Sequence, residues 1–162
     1  QPHYVTLPDT SLVGVTQSCN CSLEQISSFR MEIRVHFWHQ YLGEAKCIPP
    51  LLYGLHHSRP SKEKEDEHEV LYTTAVEPEQ VPEGVQPGEP IVLPGGEYAL
   101  FTYEGLTDEL QDFIISLYDT CLPTLGLTRR KGLDAERFQP QGNREDGPPK
   151  VIRCEYLIPI RR

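Results

Sequence analysis

The sequence predicts an α+β domain of two tandem β-α-β-β units, forming one antiparallel sheet with two helices on one face and a groove between the repeats. Three observations predict it. Val5-Thr6-Leu7-Pro8, followed by the strand-like Leu12-Val13-Gly14-Val15-Thr16, returns as Ile91-Val92-Leu93-Pro94, followed by Tyr98-Ala99-Leu100-Phe101-Thr102. Leu7/Leu93, Pro8/Pro94 and Thr16/Thr102 all match at an offset of 86 residues, a period that marks internal repetition. A segment of helical periodicity follows each copy. Finally, neither unit alone can bury both a helix face and a sheet face, so the two must share a core. The 162 residues fit one domain, with repeat one at about 4–77, a linker at about 78–90 and repeat two at about 91–162.

The elements follow in order. Leu12 to Thr16 is short, apolar and β-branched, as a strand requires. Ser22 offers an N-cap with Gln25 three residues on, the spacing of a capping box. Leu23, Ile26, Phe29, Ile33, Phe37 and Tyr41 then recur at three- and four-residue steps, predicting one helix face, with Glu24, Arg30, Glu32 and Arg34 on the other. Gly43 stops the helix and Pro49-Pro50 breaks the chain. Leu51 to Leu55 reads as a strand, the charged stretch Ser58 to Glu69 as a hairpin loop, and Val70 to Val76 as the next strand. The Pro- and Gly-rich stretch Glu77 to Pro90 is the linker, and Pro94-Gly95-Gly96 a turn. A strand over 97–103 leads to Thr107, a helix cap with Asp108 and Glu109 at the positive end of the helix dipole. Leu110, Phe113, Ile114, Leu117, Tyr118 and Cys121 form that helix's apolar face, ended by Pro123 and Gly126. A short strand around Glu136-Arg137-Phe138, a loop over 139–149 and a strand from Val151 to Ile160 close the chain.

Charge narrows the function. The formal net charge of −9 opposes the Lys/Arg excess that a phosphate-tracking surface needs. Arg129-Arg130-Lys131 is a lone basic run and reads as solvated. No apolar run is long enough to span a membrane. The start, Gln1-Pro2-His3-Tyr4, lacks an initiating Met and the marks of a signal peptide. The expectation is a cytoplasmic fragment or processed product, with a partner domain N-terminal to it. Five cysteines at scattered spacing predict reduced thiols. Cys19-x-Cys21 has no second pair at zinc spacing, and His36/His39 and His56/His57 lack a third ligand, so no metal or cofactor is expected. Neither a Gly-rich phosphate loop nor a nucleophile elbow nor a zinc-protease helix is present, and the chain is not expected to be an enzyme.

Aromatic residues and one acid are the candidates for binding. Tyr53, Tyr72, Phe101, Tyr103 and Tyr156 fall in predicted strands, and Trp38, Tyr41 and Tyr118 in predicted helices. They either pack the core or line a groove for an apolar, ring-shaped or cationic guest, where tyrosine supplies both a stacking face and a hydroxyl. Glu155 sits mid-strand in Arg153-Cys154-Glu155-Tyr156-Leu157-Ile158-Pro159-Ile160. It either faces water from an edge or is buried and needs a partner such as Arg153, a backbone donor or a ligand. Alternation puts Arg153, Glu155 and Leu157 on one face and Cys154, Tyr156 and Ile158 on the other.

The two-unit plan and the closing Glu155-Tyr156-Leu157-Ile158-Pro159-Ile160 resemble the GyrI-like, effector-binding superfamily with its SHS2-like repeats. Cys21 to Arg30, Gly95 to Gly105 and Leu127 to Gly132 resemble the C-terminal domain of an AraC/XylS-type regulator. The resemblance implies an effector-binding domain of a bacterial transcriptional activator that takes amphipathic or lipophilic small molecules. DNA and RNA polymerase would be reached only through a helix-turn-helix domain not in this chain. It further implies ligand binding in the inter-repeat groove, with Glu155 as polar anchor beside Trp38, Tyr53, Tyr72, Phe101, Tyr103, Tyr118 and Tyr156. A sequestering or protein-inhibitor module and a small-molecule hydrolase are the alternative readings.

Overall fold

The computed structural model describes residues 2–22, 25–26, 29–30, 32–34, 36–37, 51–60, 68–81, 83–85, 88–139 and 151–161. Nine strands occur among them. They are β1 (His3–Leu7), β2 (Thr10–Cys21), β3 (Leu52–Pro60), β4 (His68–Val76), β5 (Glu89–Leu93), β6 (Gly96–Leu106), β7 (Thr128–Arg129), β8 (Asp134–Gln139) and β9 (Val151–Arg161). All pair antiparallel, in the order β1-β6-β9-β8-β3-β4-β2-β5, with β7 on β9. The described residues between 25 and 37 are helical. The main helix follows β6: a 3-10 turn Thr107–Glu109, α-helix Leu110–Ser116, a π-helical turn Leu117–Cys121 and a last α turn Leu122–Leu125.

Strand alternation sorts the core into two. On the helix side, Phe101, Phe138, Ile152, Cys154, Tyr156 and Ile158 meet Leu110, Ile114, Leu117 and Leu122 of the main helix. On the other side, Leu12, Tyr53, Leu55, Ala75, Leu93, Tyr98, Leu100, Ala135 and Leu157 form a core from strands alone. Among the described residues no helix covers this face, which stays dry if the sheet curls over itself, and the connectivity points the same way. β1 and β2 are consecutive in the chain but lie near opposite ends of the strand order, as do β5 and β6. Their connections meet, where the Gly95 N–H donates to Asp9 Oδ1 at 2.7 Å. Each large side chain buried in these cores contributes roughly 1.5–3 kcal/mol.

The pairing partners of β1 and β5 are absent from the sequence prediction. β1 pairs with β6 and β5 with β2, and the registers match: Tyr4 faces Ala99 and Pro90 faces Val13. Adding 86 to the first residue of the first pair and subtracting 86 from its second yields the second pair. The expected linker at 77–90 therefore ends in a strand, and Pro90 is tolerated because β5 is an edge.

Other boundaries move for local reasons. β3 runs through His56 to Pro60 and β4 begins at His68, so the expected hairpin loop is shorter. The strand predicted at 136–138 spans Asp134–Gln139. Half of the expected capping box forms, the Ser22 N–H donating to Gln25 Oε1 at 3.0 Å. Thr107 opens a 3-10 turn rather than the α segment, which starts from Glu109. Pro123 does not end the helix but sits in its last turn. Lacking an N–H, it fits directly after a π turn, where the regular bonding ladder is already interrupted. Gly126, at φ 67°, closes the helix in the left-handed region with Leu127 N–H donating to Leu122 O at 3.0 Å. Cys19 is disulfide-bonded, contrary to the expectation of reduced thiols throughout, whereas Cys121 and Cys154 are free. Trp38, Tyr41, Gly43 and Cys47 lie outside the described residues.

Candidate functional site

Between the two helical segments, on the helix side of the sheet, lies a cleft of about 400 Å³. Ile26 and Arg30 form one wall and Gln111, Ile114, Ile115 and Tyr118 the other. Arg129 borders it, and His56, Asp134 and Tyr156 lie beneath. His56 faces Asp134 across β3 and β8. Tyr156 reaches them from β9 because alternation directs its even-numbered residues to the helix side. Tyr118 belongs to the π-helical turn, which carries its hydroxyl down to the sheet.

These groups form one chain of hydrogen bonds. The Tyr118 hydroxyl meets Asp134 Oδ2 and lies 3.1 Å from the Tyr156 hydroxyl, which is 2.7 Å from His56 Nε2. Arg129 Nε donates to Asp134 Oδ1 at 2.9 Å. With Asp134 ionised the polarity is fixed, because a carboxylate only accepts. Tyr118 donates to Asp134, Tyr156 donates to Tyr118, and the Tyr156 oxygen accepts from an Nε2-protonated His56. Burial pushes the Asp134 carboxyl above its ordinary value, partly offset by the bonds from Tyr118 and Arg129. Burial also raises Tyr118, as does the Asp134 charge. Tyr156 is raised by burial and then by Tyr118 and both nearby acids. Both phenols therefore stay protonated.

A second polar layer lies beside the first. Tyr72 donates to Glu136 Oε1 at 2.6 Å, and Arg34 Nη1 donates to the Tyr72 hydroxyl at 3.2 Å while standing 3.6 Å from the same carboxylate oxygen. Burial alone would lower the Arg34 guanidinium, but attraction to Tyr72 and Glu136 outweighs it and the net shift is upward. Glu136 is fully buried, and its Oε2 has no partner among the described residues. Gly54, its register partner, leaves the room: a Cβ there would stand 2.2 Å from Tyr72 Oη and 2.6 Å from Glu136 Oε1.

The sequence-predicted residues divide. Tyr118 and Tyr156 meet in the cleft, with Tyr72 in the layer beside it. Phe101 lines a second hollow of about 310 Å³ on the far side of the main helix, and Tyr103 packs against Phe113 at 5.0 Å between ring centroids. Tyr53 belongs to the strand-only core. Glu155 projects to that same face, opposite Tyr156. It is 38% exposed and paired to Arg137 Nη2 at 2.9 Å, so the structure does not bring it to the cleft. Trp38 is outside the described residues.

Sequence pattern marks His56 only as half of a possible metal pair and Arg129 only as part of a solvated basic run, and does not offer Asp134, Glu136 or Arg30 as site residues. Arg30 was expected on the polar helix face but is buried, 6% exposed. Its signal is positional: Ile26, Arg30, Ile33 and Phe37 follow steps of four, three and four and are all buried. The basic run is committed structurally as well. Arg129 holds Asp134, while Arg130 donates to Glu97 O at 3.0 Å and covers the Tyr98 ring. Among the described residues no group of three His, Cys, Asp or Glu could hold a metal ion. No described helix is long and apolar enough to cross a membrane.

A curled antiparallel sheet bearing a cleft under its helices defines a small-molecule-binding class. The chain belongs to the GyrI-like family, whose small molecule binding domain matches residues 1–161. It is 59% identical over 160 residues to Transcriptional regulator Rob of Salmonella typhimurium, covering 98% of this chain and 55% of that protein. It is 57% identical to Right origin-binding protein of Escherichia coli K12, with the same coverage. The chain thus spans about half the length of these curated relatives. In three dimensions SAV2435 bound to tetraphenylphosphonium aligns with a TM-score of 0.62 at 16% identity, over 99% of this chain and 94% of that one, a likeness of fold.

Proposed function

We propose that this chain is the effector-binding part of an AraC/XylS-type transcriptional activator, and that an amphipathic or lipophilic small molecule enters the cleft between the two helical segments. The observation that carries the reading is the 400 Å³ cleft itself, apolar on its flanks at Ile26, Ile114 and Ile115 and polar beneath. That pattern suits ligand burial with a few orienting groups. The family match, the regulator names of the two relatives and the bound cation in the structural neighbour support it. DNA and RNA polymerase would be engaged through a separate DNA-binding domain. Tyr118 and Tyr156 are the proposed contacts among the residues expected from sequence.

The fold reading that goes with it is two β-α-β-β units of about 4–77 and 91–162 with exchanged first strands. It is supported by equal strand orders, β2-β4-β3 and β6-β9-β8, and by the 86-residue relation of the outer registers. The cleft would then lie over the seam.

Calorimetric titration with tetraphenylphosphonium and with an amphipathic carboxylate tests the function, alongside the fluorescence of the single tryptophan, Trp38. At least one probe is expected to bind saturably at one site. Ile115→Trp, at a position 46% exposed on the cleft wall, should abolish binding without changing the melting temperature. Flat titrations for both probes, or binding indifferent to Ile115→Trp, would overturn the reading.

A further inference from the structure

We propose that the second hollow, across the main helix from the cleft, is a separate site for an uncharged small molecule of one or two rings, and that its occupant acts on the cleft through the π-helical turn the two sites share. The hollow originates in a mismatch of strand lengths. β1 pairs with β6 only from Gly96 to Leu100, whereas β6 continues beside β9 to Leu106. Past Leu100 no described strand covers β6 on the β1 side. There, with Pro2 at one end, a space of about 310 Å³ lies where Phe101 and Thr102 meet the main helix. Ligand pockets run from roughly 300 to 1,000 Å³, so this one suits a small guest.

The lining sets the class of that guest. Phe113, Leu117 and Leu125 join Phe101 in supplying apolar surface, and Ser116 and Thr120 supply hydroxyls. Among the described residues no charged side chain lines the hollow, although 24% of the chain is charged. Ser116 already donates its proton to Phe113 O at 2.6 Å, which leaves its oxygen as an acceptor. An aromatic guest with one hydroxyl therefore finds rings to pack against and an acceptor to bond. A charged guest would give up water and meet no counter-charge.

The link to the cleft is built into the turn Leu117–Cys121, closed by the Leu122 N–H donating to Leu117 O. Tyr118 leaves this turn toward the cleft, while Leu117, Thr120 and Cys121 leave it toward the hollow. A π turn is a single wide turn set into an α-helix, with the regular α turn as its discrete alternative. Coupling between two sites requires such an element, biased by both. A guest in the hollow packs the turn from behind and holds Tyr118 down on Asp134 and Tyr156, so the two sites bind cooperatively. The link rests on the cleft being the effector site; the hollow as a site does not.

2-Naphthol, neutral and fluorescent, tests the hollow in the Ile115→Trp chain, whose cleft is filled. It should bind saturably, and at about ten times its Kd should slow alkylation of Cys121 by iodoacetamide, followed by mass spectrometry, about tenfold. 2-Naphthoate, the same rings carrying a charge, should bind about tenfold or more weakly. In the wild type, saturating 2-naphthol should tighten whichever of tetraphenylphosphonium and the amphipathic carboxylate binds the cleft, about fivefold or more. Thr120→Trp, at an exposed position on the wall of the hollow, should abolish that gain and the binding of 2-naphthol. Absence of 2-naphthol binding, binding that leaves Cys121 unprotected, or equal binding of 2-naphthoate would overturn the site. Cys121 protection that grows with protein concentration in the absence of probe would assign the hollow to a second copy of the chain instead. Occupation of the hollow with no gain at the cleft would overturn the link alone. Flat cleft titrations would remove the link together with the cleft reading and leave the hollow standing.

Discussion

The backbone N–H of Gly95 donates to Asp9 Oδ1 at 2.7 Å, joining residues 86 positions apart, the same interval that relates Pro8 to Pro94 in sequence. Two chain crossings touch at this point, Pro8-Asp9 between β1 and β2 and Pro94-Gly95 between β5 and β6. On the two-unit reading, equivalent residues of the units meet there, as residues on an approximate two-fold axis must. The contact closes the curl that covers the strand-only core.

Closure at this crossing depends on the absence of a side chain at position 95. A Cβ on Gly95 would stand 2.6 Å from Leu7 O and 2.8 Å from Asp9 N, and backbone atoms cannot step aside as a flexible side chain can. Gly95→Ala should therefore cost roughly 1–3 kcal/mol, the range for overpacking. Asp9→Ala removes one exposed hydrogen bond and should cost about 0.5–1 kcal/mol. Urea denaturation compares the two, and a Gly95→Ala variant as stable as wild type would contradict the crossing.

Gly54, Tyr72 and Glu136 form a second place where one atom decides the packing. Gly54→Ala puts a methyl 2.2 Å from Tyr72 Oη and should cost roughly 1–3 kcal/mol. Tyr72→Phe removes the hydroxyl that bonds Glu136 and should cost about as much through the weakened carboxylate. In the double variant the nearest of the methyl's clashes, with the hydroxyl, is gone, while those with Glu136 Oε1 at 2.6 Å and the ring Cζ at 2.9 Å remain. The combined loss should fall short of the two singles added by about 1 kcal/mol. Strict additivity in denaturation would mean the methyl and hydroxyl do not compete.

Local pattern made the strands and the main helix legible, and the alternation in Cys154-Glu155-Tyr156 assigned both faces of β9. The placement of β1 was not legible, because pairing Tyr4 with Ala99 is a long-range choice that no local propensity encodes. Arg30 was assigned to the polar face because its charge was weighed above its position, though its spacing from Ile26 and Ile33 fits the buried stripe. His56 and Asp134 lie in separate strands and acquire meaning only once β3 and β8 are paired. Glu155 looked exceptional as a mid-strand acid, yet the same irregularity at Asp134 and Glu136, two acids at alternate positions of one strand, marks the cleft side.

Asp134 gives the cleft a pH dependence whose sign follows from its surroundings. Burial holds its carboxyl above the ordinary value, although Tyr118 and Arg129 pull it back. A carboxyl whose folded value exceeds its unfolded value binds its proton more tightly in the fold. Its contribution to stability is thus greatest at low pH and declines as pH rises through the window between the unfolded value, near 4, and the raised one. Asp134→Asn removes that titration while keeping a side chain of similar shape. The stability difference between wild type and Asp134→Asn should therefore shift in the wild type's favour as pH falls from neutral through the window, then level off. Urea midpoints across a pH series measure it, and the pull of Arg129 on the ionised carboxylate is already contained in the net direction of the Asp134 shift. A difference that moves toward the variant on acidification would mean that Arg129 and Tyr118 outweigh burial and hold the carboxyl below its ordinary value.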